Sequence, residues 1–361
     1  MKNNNTKTLL KNVCKISKGK GLKHEKVNFT NGQNCILCGD LFTQYDTVIK
    51  NVVHKTTYNE GISSKNNTVL IPGDTTTNAW DIAKAVALDE ENVLLGGSIN
   101  ILEFDERCDN TFFAYYLSSK KKIDLAKLAI GSTVVHLHGK EIGNIEVSYP
   151  SKEMQVKIGS FFKELDELIE MYADYKSLMI DKIKYTLSNV KASTYKKCKV
   201  SELYDITRGY YIPKDSLSMH GTYPVYSSQT KNKGIMGYSS KYLFEDCMIW
   251  STDGYAGEVR YVPGKFNCTN VCGVMINNEG YCNSYMAYYL NKLFKKYVSN
   301  SGIPKLMNNV VQNIPIELPT LEEQYELSNF IDEAVKLIDF IDELMIGLIH
   351  KKKYYLNKIF D

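Results

Sequence analysis

Pro150-Ser-Lys-Glu-Met-Gln155 opens a stretch that runs to Leu187, and Pro319-Thr-Leu-Glu-Glu-Gln324 opens one that runs to Leu356. At the offset of 169 set by the two prolines, Glu153, Gln155, Phe161, Glu164, Leu168, Ile169, Lys182, Lys184, Tyr185 and Leu187 all meet identical residues. A duplicated segment explains such a match better than chance. In each copy apolar residues recur at spacings of three and four: Ile158, Phe161, Phe162, Leu165, Leu168, Ile169 and Tyr172 in the first, and Leu327, Phe330, Ile331, Ala334, Leu337 and Ile338 in the second. That period places them on one helical face, and neither stretch holds an internal proline. Two long amphipathic helices follow, each spanning roughly 50 to 60 Å at ~1.5 Å per residue. Their matching stripes are expected to pair, with Phe161, Leu168, Ile169, Phe330, Leu337 and Ile338 packing the helix pair.

The regions before the helices correspond as well. Ile16-Ser-Lys-Gly19 answers to Ile206-Thr-Arg-Gly209, Ala114-Tyr-Tyr-Leu117 recurs as Ala287-Tyr-Tyr-Leu290, and Asn144-Ile-Glu-Val147 answers to Asn313-Ile-Pro-Ile316. Strand-like runs at Thr68 to Pro72, Ser98 to Phe104, Met248 to Ser251 and Gly273 to Ile276 alternate with turn residues and the helix of the AYYL motif. The chain therefore divides into a domain at 1–149, a long helix at 150–194, a domain at 195–318 and a long helix at 319–361. The fold class is α+β: two mixed α/β domains separated by a pair of long antiparallel helices, a coiled-coil spacer, with a pseudo-two-fold internal repeat.

Composition restricts the function. The 361 residues, 43% hydrophobic and 24% charged, are enough for two or three buried cores. A formal charge of +3, from 44 Lys+Arg against 41 Asp+Glu, excludes a uniformly basic coat but allows local basic patches. No run approaches the ~18 apolar residues of a membrane span, and the start from Met1 to Lys15 is polar and Lys-rich, so a soluble, cytoplasmic protein without membrane contact is expected. Nine cysteines fit a reduced compartment, and the pairs Cys35/Cys38 and Cys268/Cys272 are too irregularly spaced for a zinc site. Buried free thiols are the expectation.

With these repeats the chain resembles, over nearly its whole length, the specificity (S) subunits of type I restriction-modification systems. The hallmarks are the helix-opening P-x-x-E-Q at Pro150, Glu153 and Gln155 and again at Pro319, Glu322 or Glu323 and Gln324; the I-S-x-G-like start; and the loop Gly131-Ser-Thr133 followed by the strand from Asn144 to Pro150. In the second copy Gly302-Ile-Pro-Lys305 replaces the serine or threonine of that loop. The resemblance implies two target-recognition domains that read a split, asymmetric DNA sequence. It further implies that the chain holds two adenine methyltransferase subunits, to which restriction motor subunits can be added, and that S-adenosylmethionine is bound by the partner and not by this chain. No base-pocket tetrad, glycine-rich methyl-donor loop or GxxxxGK[ST] phosphate loop occurs, so catalysis is assigned to partners. A type IIB-like enzyme, whose partner combines cleavage and methylation, is the alternative within the resemblance. A protein-only coiled-coil adaptor and a stand-alone enzyme are the alternatives outside it.

Candidate DNA contacts follow from side-chain chemistry. Ser227, Ser228, Gln229, Lys231, Asn232 and Lys233 concentrate groups able to bond base edges or phosphates, and Thr43 and Gln44 occupy the matching loop of the first copy. Thr76 and Asn78 stand at a strand exit with Tyr255 as their counterpart, and Ser132, Thr133 and Lys305 belong to the loop named above. Trp80 is expected in the core, His136 and His138 as ordinary histidines, and Asp74, Asp81, Asp105 and Glu106 as solvated acids. The lysines of the first 26 residues, against the single acid Glu25, are candidates for phosphate contact. Tyr185 and Tyr354, beside paired lysines, are candidates for docking a methyltransferase subunit.

Overall fold

The structure, a computed structural model, describes residues 5–190, 195–229 and 231–360, without the side chain of Lys231. It forms two compact units: Met1–Asp174 with Glu343–Asp361, and Tyr175–Asp342. Each contains one domain and a part of both long helices, so the unit boundaries fall inside the helices.

In the first unit the strands Cys14–Lys18, Ile99–Phe104, Thr68–Pro72 and Val86–Leu88 lie in that order in one antiparallel sheet. All five residues of Thr68–Pro72 are buried, because both faces of this central strand are covered. Val69, Ile71 and Leu102 face Phe112, Phe113 and Tyr116 on the AYYL helix Asn110–Ser118. Leu70, Ile99 and Ile101, one residue out of phase, join Ile36, Leu41 and Leu95 on the other side. A smaller sheet follows there, in the order His54–Thr56, Gln33–Ile36, Leu94–Leu95, Ile62–Ser63.

The second unit repeats this plan in one longer sheet, in the order Asp205–Arg208, Cys272–Ile276, Phe244–Ser251, Val259–Cys268, Tyr223–Tyr226, Ile235–Ser239. Met248, Trp250 and Met275 face the AYYL helix Ser284–Phe294, while Cys247, Ile249 and Val274 face the opposite core. The glycine of the I-S-x-G motif has a steric reason in both copies. A Cβ on Gly19 would lie 2.0 Å from the Gly96 carbonyl oxygen, and one on Gly209 would lie 2.3 Å from that of Thr269. Only a residue without Cβ lets these segments approach so closely.

The long helices run Lys152–Ser188 and Leu321–Phe360. Thr320 and Glu323 form a capping box at the second: Thr320 N–H and Oγ1 donate to the Glu323 carboxylate at 2.9 Å, and Glu323 N–H donates back at 3.3 Å. Where each helix leaves its domain it buries the same three positions, Gln155, Gly159 and Phe162 in one, Gln324, Ser328 and Ile331 in the other. The P-x-x-E-Q glutamine is therefore a staple. Gln155 Nε2 donates to the Pro150 carbonyl at 2.9 Å and to that of Arg107 at 3.1 Å, while Oε1 accepts the Asp109 N–H at 2.9 Å. Gln324 Nε2 donates to Pro319 at 3.0 Å, and Oε1 accepts from Asn283 Nδ2 at 3.2 Å. In both copies the glutamine ties the helix start to the start of the AYYL helix. The second tyrosine of AYYL also acts alike in the two copies, since Tyr116 Oη accepts Ser148 N–H at 3.2 Å and Tyr289 Oη accepts Glu317 N–H at 3.1 Å.

Within the first unit the helices are antiparallel, with Phe161 edge-on to Tyr355 at 5.4 Å and Asp166 paired with Lys352. Within the second they are antiparallel too, Lys176 binding Asp342 at 2.6 Å and Lys182 lying 6.0 Å over the Phe330 ring. Phe161, Leu168, Ile169, Phe330, Leu337 and Ile338 are half-buried. All nine cysteines are free, and burial pushes the Cys14 and Cys108 thiols up to about 12, so they pack as protonated side chains. Among the described residues no helix is long and apolar enough to cross a membrane.

Candidate nucleic-acid interface

One corner of each main sheet carries a loop closed by the same backbone device. Ile130 and His136 exchange N–H···O bonds of 2.9 and 2.7 Å, and Ser299 and Lys305, at the offset of 169, exchange bonds of 2.9 and 3.0 Å. The next residue ties the loop to the central strand's exit, Leu137 N–H to Gly73 O at 3.0 Å and Leu306 N–H to Thr252 O at 2.9 Å. His136 then lies opposite Asp74, and Lys305 opposite Asp253. Both loops are exposed, so each domain presents a rim built from the strand exit and this closed loop.

The register corrects one sequence expectation. Matching Gly131 with Gly302 leaves the second loop without a hydroxyl, but the paired closures make Ser301 the counterpart of Ser132 and Gly302 the counterpart of Thr133. The hydroxyl is retained. The two glycines, with φ of 117° and 88°, turn the chain at different points of the loop, which is why aligning on glycine misled.

Trp80 is a second correction: it is 54% exposed, and Lys122 Nζ lies 4.7 Å over its ring. It belongs to the short helix Ala79–Ile82, whose first turn Asn78 caps by accepting from Trp80 N–H at 2.9 Å and Asp81 N–H at 3.0 Å. Ile82 takes the buried position instead. Asn78 also donates to Asp81 at 2.7 Å, so its amide is engaged within the rim. Thr76 is exposed beside it. Thr43, Thr75, Thr77, Asp81 and Lys122 line a shared groove of about 610 Å³. Burial holds the Lys122 ammonium, and that of neighbouring Lys84, below the ordinary lysine value.

Beyond the groove the two domains carry loops of unequal length between equivalent strands. Leu37 to Val53 connects Gln33–Ile36 to His54–Thr56, and Ser227 to Gly234 connects Tyr223–Tyr226 to Ile235–Ser239. Thr43 and Gln44 are exposed on the first. On the second, Ser227 and Ser228 are half-buried, and Gln229 Nε2 and Asn232 Nδ2 both donate to the Ile235 carbonyl, at 2.6 and 3.2 Å. Asn232 and Lys233 adopt left-handed φ of 50° and 51°, and the Arg260 guanidinium donates to the Lys233 carbonyl. The Lys231 side chain lies outside the described residues, as do Thr230 and Lys2. Tyr255 and Lys305 are exposed on the second rim.

Sequence reasoning missed a feature common to these loops. Lys50 on the first binds Glu170 of the long helix, and Lys233 on the second binds Asp339 at 2.6 Å. Glu170 and Asp339 are 169 apart. The signal was present as an acid at matching positions, but Glu against Asp escapes a search for identities.

Comparisons with known proteins agree with this duplicated frame. The family model described as the type I restriction modification DNA specificity domain matches twice, at residues 2–176 and 192–347. The chain belongs to this family. A protein of Mycoplasma pneumoniae named as a type I specificity subunit is 30% identical over 62% of this chain and 88% of its own length. The specificity subunit of the type I restriction enzyme MpnII from the same organism is 30% identical over 53% of this chain and 61% of its own length. A crystal structure of a type I restriction-modification S subunit from M. genitalium shares the fold, with a TM-score of 0.73 at 18% identity over 100% of this chain and 97% of that one. A chain from a structural study of complex assembly and conformational transition in a type I system aligns with a TM-score of 0.52 at 13% identity, over 99% and 97%. The two rims thus sit on a duplicated specificity-family frame.

Proposed function

We infer that this chain is the specificity subunit of a type I restriction-modification complex, each domain reading one half of a bipartite, asymmetric DNA target. The observation that carries this is the family match in both halves, on frames whose backbone bonds repeat while the rim side chains differ. Two rims with different donors and acceptors suit two different base sequences. In the first domain Thr43, Gln44, Thr76, Asn78, Ser132 and Thr133 are the proposed contacts. In the second they are Ser227, Ser228, Gln229, Lys231, Asn232, Lys233, Tyr255 and Lys305. Asn78, Gln229, Asn232 and Lys233 each make an internal bond that holds the side chain in place and leaves further donors available to DNA.

Two adenine methyltransferase subunits complete the active complex in this reading, with S-adenosylmethionine bound on them and restriction motor subunits able to join. The chain itself transfers no methyl group. Tyr185 and Tyr354 are each exposed on their helix and are the proposed docking residues for the methyltransferase. Mapping methylated adenines in the host genome with and without this gene tests the function. One asymmetric split motif should disappear with the gene, and an unchanged methylome refutes the reading. Methyl transfer to DNA by the purified, partner-free chain would refute its non-catalytic role.

A further inference from the structure

An open groove of about 650 Å³ runs beside the edge strand Cys14–Lys18 of the first unit. Lys11, Lys15, Lys18 and Lys140 line it together with His138 and Asn144, and no acid contributes to its wall. Lys11 is fixed there, its Nζ donating to Asn144 Oδ1 at 3.0 Å. Lys15, Lys18 and Lys140 are exposed and form no ion pair among the described residues. Ammonium groups from three separate segments surround one concave surface, and Glu103, the acid opposite Lys15 across the strand pair, is already bound by Lys65 at 3.0 Å, so the groove keeps a local positive field that the net charge of +3 conceals.

The described residues at the corresponding place in the second unit carry no such cluster. At the positions that the repeats align with Lys11, Lys15, Lys18 and Lys140 stand Ser201, Asp205, Arg208 and Asn309, whose charges cancel. His138 is replaced by Met307, and the Arg208 guanidinium lies against its sulfur at 3.4 Å.

We propose that the first unit's groove seats successive phosphates of the DNA backbone, giving the first domain a sequence-blind anchor that the second lacks. The inference rests on the DNA-reading function above. A single phosphate ion does not fit the layout. Lys15 and Lys18 are three residues apart on a strand, ~10 Å at ~3.3 Å per residue, and leave it on opposite faces. A polyanion laid along the edge meets both. Such contacts add affinity and salt dependence without choosing bases.

The test uses the full chain in complex with its methyltransferase partner. Lys15→Gln, Lys18→Gln and Lys140→Gln are combined, and the slope of log affinity against log salt is measured on a target duplex and on a scrambled one. Each phosphate released flattens the slope by ~0.9, so a change of about 2 to 3 is expected on both duplexes, with the methylated motif unaltered. The triple Lys→Arg variant should keep the original slope, and Arg208→Gln should change it by less than ~1. An unchanged slope in the triple Gln variant, or a changed motif, overturns the anchor. Thermal stabilisation of the unsubstituted protein by inorganic phosphate, beyond chloride of equal ionic strength and abolished in the variant, would assign the groove to a single ion and also overturn it. Absence of any target preference in the unsubstituted complex would instead refute the specificity-subunit reading.

Discussion

The carbonyl of Leu137 in the first domain is held by Asn100 Nδ2 at 2.9 Å, and that of Leu306, at the same place in the second, by Trp250 Nε1 at 3.0 Å. An amide and an indole share no shape, but each puts one N–H donor where the backbone needs it. The comparison separates two kinds of constraint. The chain path at the rim is repeated bond for bond, from the Ile130–His136 and Ser299–Lys305 closures to the ties at Gly73 and Thr252. The side chains that enforce the path, and those that face outward from it, are free to differ. A frame that tolerates such exchange can change what it reads without changing how it folds.

Removing the two carbonyl holders should break this equivalence most visibly. Trp250 is fully buried and packs edge-on to Phe294 at 6.3 Å, so Trp250→Ala should cost about 3–5 kcal/mol through the lost burial and the cavity left behind. Asn100→Ala removes little volume but strips the buried Leu137 carbonyl of a donor, at about 1–3 kcal/mol. Thermal unfolding of the two variants should reproduce that order. Equal losses would mean that the hydrogen bond, not the packing, dominates in both domains.

The helix staples are expected to behave alike where the carbonyl holders differ. Gln155→Ala and Gln324→Ala each leave buried backbone or amide groups unpaired, and each should lower stability by about 1–3 kcal/mol. Gln155 makes one more bond than Gln324, so its removal should be the more damaging. A well-tolerated change at either position, read as an unshifted melting transition, would show that the shared motif is not a shared structural device.

How much of this was legible in the sequence depends on the range of the interaction. The helices, the strand Thr68–Pro72 and the AYYL helices follow from local periodicity, and the duplication follows from identities at fixed offset. The staple role of Gln155 and Gln324 does not, because a glutamine in an amphipathic helix reads as solvent-facing until its partners at Asp109 and Asn283 are folded against it. Trp80 was misplaced for the converse reason: an indole is expected inside, but here Ile82 of the same short helix fills the core and turns the ring outward. The basic groove was half visible, as a run of N-terminal lysines, and needed the tertiary fold to bring Lys140 beside them.

A smaller effect is expected at the rims themselves, where the comparison can be sharpened by function. Ser132→Ala and Thr133→Ala should alter only the first half of the methylated motif, and Tyr255→Ala and Lys305→Ala only the second. Removing a bidentate bond to a base would cost about 1–3 kcal/mol of discrimination, and removing a bond to a phosphate would cost none. Methylome sequencing of the four variants reads the result directly. A variant that relaxed both halves would end the idea that the domains read independently.

The smallest effect concerns the loop latches, and it distinguishes two loops that otherwise do the same job. Lys50 meets Glu170, with Glu167 at 4.0 Å, while Lys233 meets Asp339 alone among the described residues. Both pairs are substantially exposed, so double-mutant cycles should give no more than about 1 kcal/mol for either coupling, with Lys50–Glu170 the larger. The backbone adds a second difference. Lys233 sits at a φ of 51°, where an L side chain costs on the order of 1 kcal/mol or more, whereas Lys50 is not among the residues with positive φ. Both Lys233→Ala and Lys233→Gly lose the ion pair, but only glycine relieves that strain, so Lys233→Gly should be the more stable by roughly 1 kcal/mol. At Lys50 the order should reverse, because glycine there only adds freedom to the unfolded chain. The same order at both positions, measured by thermal unfolding, would show that the loops carry their lysines in equivalent conformations and that the second latch is not held against a strained turn.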